Sequence, residues 1–170
     1  MIAGASGYRV PHSAIRREIA DGRIALAGAC RPERKSWHFP RSRFRASRLF
    51  KKADLNYSLE GELILSTWPN ITLWVACDGR SLRFIALWQG TITDPADRAK
   101  ALDAATHRNR NYILPKSTVV ELERGMGLRA ECNFWVEQGM TDAQLQGAFD
   151  ASLKSCLGTI EDFDALFSKA

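Results

Sequence analysis

Apolar and polar positions along this chain alternate in two rhythms. Leu63-Ile-Leu-Ser-Thr-Trp68, Ile71-Thr-Leu-Trp-Val-Ala-Cys77 and Leu82 to Trp88 are short runs rich in β-branched and aromatic residues, which suit a pleated surface. Pro69-Asn70 turns the chain between the first two. Asp78-Gly79 separates the second and third, and a type I′ turn needs the positive φ angles that such a pair adopts. The pattern predicts a three-stranded antiparallel meander. Ser117 to Glu123 and Leu128 to Val136 alternate again, joined by Arg124-Gly125-Met126-Gly127, and predict a β-hairpin.

Helical spacing frames these strands. Pro40 to Ala53 predicts a helix opened by proline, with Phe44, Leu49, Phe50 and Ala53 on one broad face. Asp94 caps a second helix, Pro95 takes its first position, and Ala99, Leu102 and Ala105 mark its apolar stripe until Asn109 or Asn111. Thr141-Asp-Ala-Gln144 is a capping box that opens a long third helix. Its stripe runs through Leu145, Phe149, Leu153, Cys156, Ile160, Phe163 and Phe167, with Gly158 as a place where it could bend. Before Pro40, Ser13 could cap a short helix carrying Ile15 and Ile19 and closed by Gly22, and Arg31 to Pro40 reads as a loop.

The order is helix, three strands, helix, two strands, helix. It predicts an α+β fold with helices packed on an antiparallel sheet rather than a doubly wound parallel one. A length of 170 residues suits one folded body. The reading divides the chain into a basic arm over residues 1–40 and an α+β domain over 41–170.

Charge sharpens that division. The net charge is +5. Met1 to Lys52 holds thirteen Lys and Arg against three Asp and Glu, a balance of +10, and the rest is at −5. Such asymmetry points to an anionic partner for the arm, with Arg41, Arg43, Arg45, Arg48, Lys51 and Lys52 as the candidate anion-binding residues. A solvated helix face beside an acidic body explains the same charges.

Candidate chemistry is sparse. Gly125-x-Gly127-x-x-Ala130 imitates a dinucleotide fingerprint, but a strand follows it where a helix N-terminus would have to hold the pyrophosphate. His12, His38 and His107 have no zinc-ligand spacing to one another or to Cys30, Cys77, Cys132 and Cys156. The cysteines read as free thiols, those inside apolar runs as small hydrophobes. The expectation is no catalytic residue, no metal and no cofactor. With no apolar run of about 20 residues and no signal-peptide pattern, the reading is cytoplasmic and off the membrane. Trp68, Trp74, Trp88 and Trp135 sit on or beside strands, and with Phe149 and Phe163 they form the candidate partner surface. A base-stacking platform would need interleaved cations, and Arg83 is the one well inside those strands.

From about Leu55 to Phe167 the chain resembles the YbjN-type bacterial domains, which share the type III secretion chaperone-like fold. The pieces are Asn56-Tyr-Ser-Leu-Glu-Gly-Glu62 leading to Trp68, the Asp78-Gly79 hairpin, Trp88, Asn109 with Pro115-Lys116, Glu131, and Gly139-Met-Thr-Asp-Ala-Gln-Leu145. The chain departs from the family's Trp-Asn at Arg108-Asn109, and residues 1–40 have no counterpart in it. The resemblance implies a homodimeric, non-enzymatic protein-binding domain labelled as a sensory-transduction regulator. It would hold another protein, a partly unfolded client included, through apolar sheet and helix surface. The alternative is a regulatory protein that associates with nucleic acid through the arm.

Overall fold

The computed structural model describes residues 39–77, 80–123 and 125–167, with side chains from Arg45 onward. The possible helix at Ser13, the loop at Arg31, the histidines His12 and His38, Cys30, and the Asp78-Gly79 turn itself lie outside the described residues. The described elements are α1 (Phe39–Lys52), β1 (Ser58–Glu60), β2 (Leu63–Trp68), β3 (Ile71–Cys77), β4 (Ser81–Trp88), α2 (Pro95–Asn111), β5 (Lys116–Leu122), β6 (Gly125–Trp135) and α3 (Asp142–Phe167). The strands form one antiparallel sheet in the order β1-β2-β3-β4-β6-β5.

Register sorts the strand residues onto two faces. Ile64, Leu73, Val75, Phe84, Ala86, Trp88, Leu128, Ala130 and Cys132 share one face with the buried sides of the helices. On it α3 lays Leu145, Phe149, Cys156, Ile160 and Phe163, which matches the expected stripe, and its helix runs on through Gly158. Phe149 packs edge-on against Phe50 of α1 at 5.1 Å and against Phe84 of β4 at 6.2 Å between ring centroids. The three aromatic rings tie two helices to the centre of the sheet.

The capping residues act as their chemistry requires. Asp94 accepts from the Ala96 N–H at 2.7 Å. Gln144 N–H donates to the Thr141 hydroxyl at 3.2 Å while Thr141 N–H donates to the Gln144 side chain at 2.9 Å. After α1, Asp54 takes the left-handed region at φ 53°, and Leu55 N–H reaches back to Phe50 O at 2.9 Å.

Four expectations need correction. The meander has four strands, because Ser58–Glu60 adds β1 at the edge through a turn with Gly61 at φ 58°. Three residues are too few to show a period of two. The buried side of α1 is Ala46 and Phe50 with Leu49 beside them, and Ala53 is exposed beyond the helix. The inward face of α2 is Ala101 and Ala105, with Ala99 and Leu102 turned to solvent. Small side chains let that helix lie close on β5, and a leucine there would hold it off. Arg124-Gly-Met-Gly127 is no four-residue loop, since β6 starts at Gly125 and pairs it with Leu122. Both glycines sit where a side chain would collide. A Cβ at Gly125, whose φ is 139°, would lie 2.6 Å from Ile92 O, and one at Gly127 would lie 2.6 Å from Leu122 Cδ1. The second face of the sheet carries buried residues too. Leu65, Trp74, Ile85 and Leu87 on it are buried.

Candidate functional site

One residue that carried the family resemblance, Asn109, proves to be a joint. Asn109, near the end of α2, donates from Nδ2 to Ser117 O and accepts from Ser117 N–H at Oδ1, both at 2.8 Å. Ser117 belongs to β5, the last strand of the sheet, so its N–H and C=O are directed away from β6. The Asn109 amide meets them as a further strand would, which closes part of an edge that could otherwise pair with another chain. Arg108, where the family has Trp, donates to Asp162 of α3 at 2.7 Å and lies 4.8 Å from the Tyr112 ring centre. It links α2 to α3 and fixes Tyr112.

Those joints present an apolar rim. Tyr112, Ile113 and Leu114 run exposed from α2 into β5, and the Leu114–Pro115 bond is cis. Lys116 pairs with Glu131, which puts this segment at the same end of the sheet as Trp135, four residues further along β6. Ile113 is 91% exposed and Trp135 is 79% exposed. Exposed apolar side chains gathered at one end of a sheet are the kind of surface from which a contact can be built. Arg80, Arg110, Lys116 and Glu137, all exposed, add charge near this end.

The six aromatic residues of the expected partner surface therefore divide. Trp135 stands at the rim. Trp68 is half-buried against the core. Trp88 of β4 and Phe149 and Phe163 of α3 are buried between the sheet and the helices, and Trp88 Nε1 donates to Asp164 at 2.7 Å. Trp74 is buried on the opposite face. Tyr112, Ile113 and Leu114 were not singled out, although three consecutive large apolar residues before a proline and outside any periodic element were a legible signal.

The basic residues of α1 also divide. Arg45 donates to Asp142 at 2.7 Å and to Met140 O at 2.7 Å, and so secures α1 to the first turn of α3. Lys52 donates to Gln146 at 3.2 Å. Arg48 and Lys51 are exposed. The side chains of Arg41 and Arg43 fall outside the described residues. An open groove of about 570 Å³ between the helices is lined by Arg45, Arg48, Lys52, Asp142 and Gln146, charges of both signs.

Cys132 of β6 and Cys156 of α3 meet in the core with sulfurs 3.8 Å apart. The contact with Cys132, then burial, pushes the Cys156 thiol well up, while the contact with Cys156 lowers Cys132, the more acidic of the two. Neither reaches solvent. Among the described residues, no group of His, Cys, Asp and Glu could hold a metal ion, and no helix is long and apolar enough to cross a membrane.

Among the described residues, three helices on one face of a six-stranded antiparallel sheet define an α+β module. Residues 49–165 match the family model YbjN, "Putative bacterial sensory transduction regulator", and the chain belongs to that family. It is similar in structure to YbjN from E. coli, reported as "a putative transcription regulator", at 13% identity and a TM-score of 0.59 over 70% of this chain and 88% of that one. A chain of the HopA1–SchA chaperone–effector complex is a looser likeness, with 16% identity and a TM-score of 0.45 over 72% of this chain and 94% of that one. None of the curated proteins compared with this chain matched it.

Proposed function

We propose that this protein is a non-catalytic binding module of the YbjN type, with residues 41–170 as its body, that engages another protein through the rim of Tyr112, Ile113, Leu114 and Trp135. The observation that carries the reading is the joint exposure of Ile113 and Trp135 at one end of the sheet. The regulatory description of the family supports it. An exposed tryptophan beside branched aliphatics supplies the large, rigid apolar contacts that dominate protein interfaces. A second copy of the chain is one partner such a rim would accept, as the expected homodimer requires.

The test compares cross-linked partners of the wild type with those of an Ile113→Ser/Trp135→Ser variant, in cells, with Leu102→Ser on the far helix as control. Loss of the same partner from the rim variant alone supports the proposal. Equal recovery by all three refutes it. Light scattering of the purified forms shows whether that partner is a second copy.

The second reading is association with nucleic acid, favoured by the exposure of Arg48 and Lys51 beside a segment with a balance of +10. It expects low-salt retention on DNA that falls with salt and falls again in Arg48→Ser/Lys51→Ser. Elution of the full chain without retention ends it.

A further inference from the structure

Two thiols meet where the sheet and the longest described helix pack. Cys132 lies on the inward face of β6, Cys156 lies in the middle of α3, and their sulfurs are 3.8 Å apart. Both side chains are fully buried, and their surroundings are polar. The Ser155 hydroxyl is 3.5 Å from the Cys132 sulfur, and the Cys156 sulfur is 3.9 Å from Ala130 O. Ser152, fully buried as well, brings a second hydroxyl from the same part of α3. Two cysteines serving as small hydrophobes would need no hydroxyls beside them. Contact with Cys156 holds the Cys132 thiol down to about 6 against the upward push of burial, and Ser155 and Ser152 add to the lowering. Ser155 is itself half-buried, so a side chain in contact with Cys132 reaches solvent.

We propose that Cys132 and Cys156 form a redox site, at which hydrogen peroxide oxidises Cys132 and Cys156 converts the product to a disulfide between β6 and α3. The Cys132 thiolate attacks one peroxide oxygen, the O–O bond breaks, and the departing hydroxide takes up the proton that Cys132 had given up, leaving as water. Cys132 is then a sulfenic acid. The Cys156 sulfur attacks the Cys132 sulfur, the S–O bond breaks, and the displaced hydroxide leaves with the Cys156 proton as a second water. The two thiols lose two electrons and one peroxide gains them. Closing 3.8 Å to a bond of about 2.0 Å moves each sulfur by about 0.9 Å, within reach of small side-chain rotations. The bond closes a loop that holds the end of β6 and the first half of α3, and so staples the helix to the sheet.

The experiment treats the native full chain with hydrogen peroxide, alkylates the remaining thiols after denaturation, and digests with trypsin. Cleavage at Arg129, Lys154 and Lys169 places Cys132 in peptide 130–154 and Cys156 in peptide 155–169. The two peptides should be recovered joined, about 2 Da lighter than their sum, and should separate on reduction with dithiothreitol. In Cys156→Ser the reaction should stop at Cys132, which a sulfenic-acid reagent such as dimedone then labels. Both cysteines recovered alkylated, either one joined instead to Cys30 or Cys77, or Cys132 unlabelled in Cys156→Ser would each overturn the proposal.

Discussion

Replacing Asn109 by alanine tests whether that residue is a joint. The substitution removes two hydrogen bonds of 2.8 Å and leaves the N–H and C=O of Ser117 facing the hole. Each neutral hydrogen bond contributes about 1 kcal/mol net, so the pair is worth about 2 kcal/mol, and more if the gap stays dry. For a chain of this size that is about 4–8 °C in Tm. Urea denaturation should show the loss as a lower midpoint at unchanged slope. Asn109→Asp separates the two bonds, because a carboxylate still accepts from Ser117 N–H but repels Ser117 O, and it should cost at least as much as alanine. An uncapped β5 is also a free edge, so light scattering of Asn109→Ala should show association that rises with concentration. A stability loss under about 0.5 kcal/mol, the range of an ordinary surface change, would refute the reasoning.

Three further outcomes follow from the geometry. Phe149→Ala removes a buried ring packed edge-on against Phe50 and Phe84 and should cost about 3–5 kcal/mol by chemical denaturation, with a smaller loss for Phe149→Leu. Gly125→Ala, at φ 139° and with its new Cβ 2.6 Å from Ile92 O, should lower stability by about 1–3 kcal/mol, whereas Gly147→Ala, which meets nothing within 4 Å, should be neutral or stabilising. Above pH 9 the unfolded chain releases the Cys156 proton while the folded chain, with that thiol pushed up by Cys132 and burial, retains it. Stability should therefore fall by up to about 1.4 kcal/mol per pH unit in that window, and Cys156→Ala should flatten the slope. Parallel pH profiles of the two forms would contradict this.

Much of the scaffold was legible because its signals are local. A capping box, an Asp-Pro helix start and a run of β-branched residues are decided within a few positions, and β2 and β3 begin and end where the pattern places them. What escaped depends on how elements meet. A helix of alternating alanines offers Ala99, Leu102 and Ala105 as readily as Ala101 and Ala105, and only the closeness of β5 selects the second pair. Aromatic content alone placed six residues on one partner surface, although parity divides them. Trp68 and Trp88 both fall in register with Ile71 and face the helices, while Trp74, three residues from Ile71, faces away.

The same parity argument makes β4 the most informative strand. Ser81–Trp88 is buried at every position, on both faces, and its sequence from Leu82 to Trp88 is apolar except at Arg83. An antiparallel strand with one wet face alternates, and a strand enclosed on both sides does not. An apolar run interrupted only at Arg83 in β4, and only at Thr72 in β3, is therefore the pattern of strands enclosed on both faces. Helices α1, α2 and α3 supply one side. The other side holds Leu65, Trp74, Ile85 and Leu87, all of them strand residues. The proposed partner contact is therefore to be sought at the rim, where Ile113 and Trp135 are exposed, and not across the aromatic sheet, whose Trp74 and Trp88 are buried.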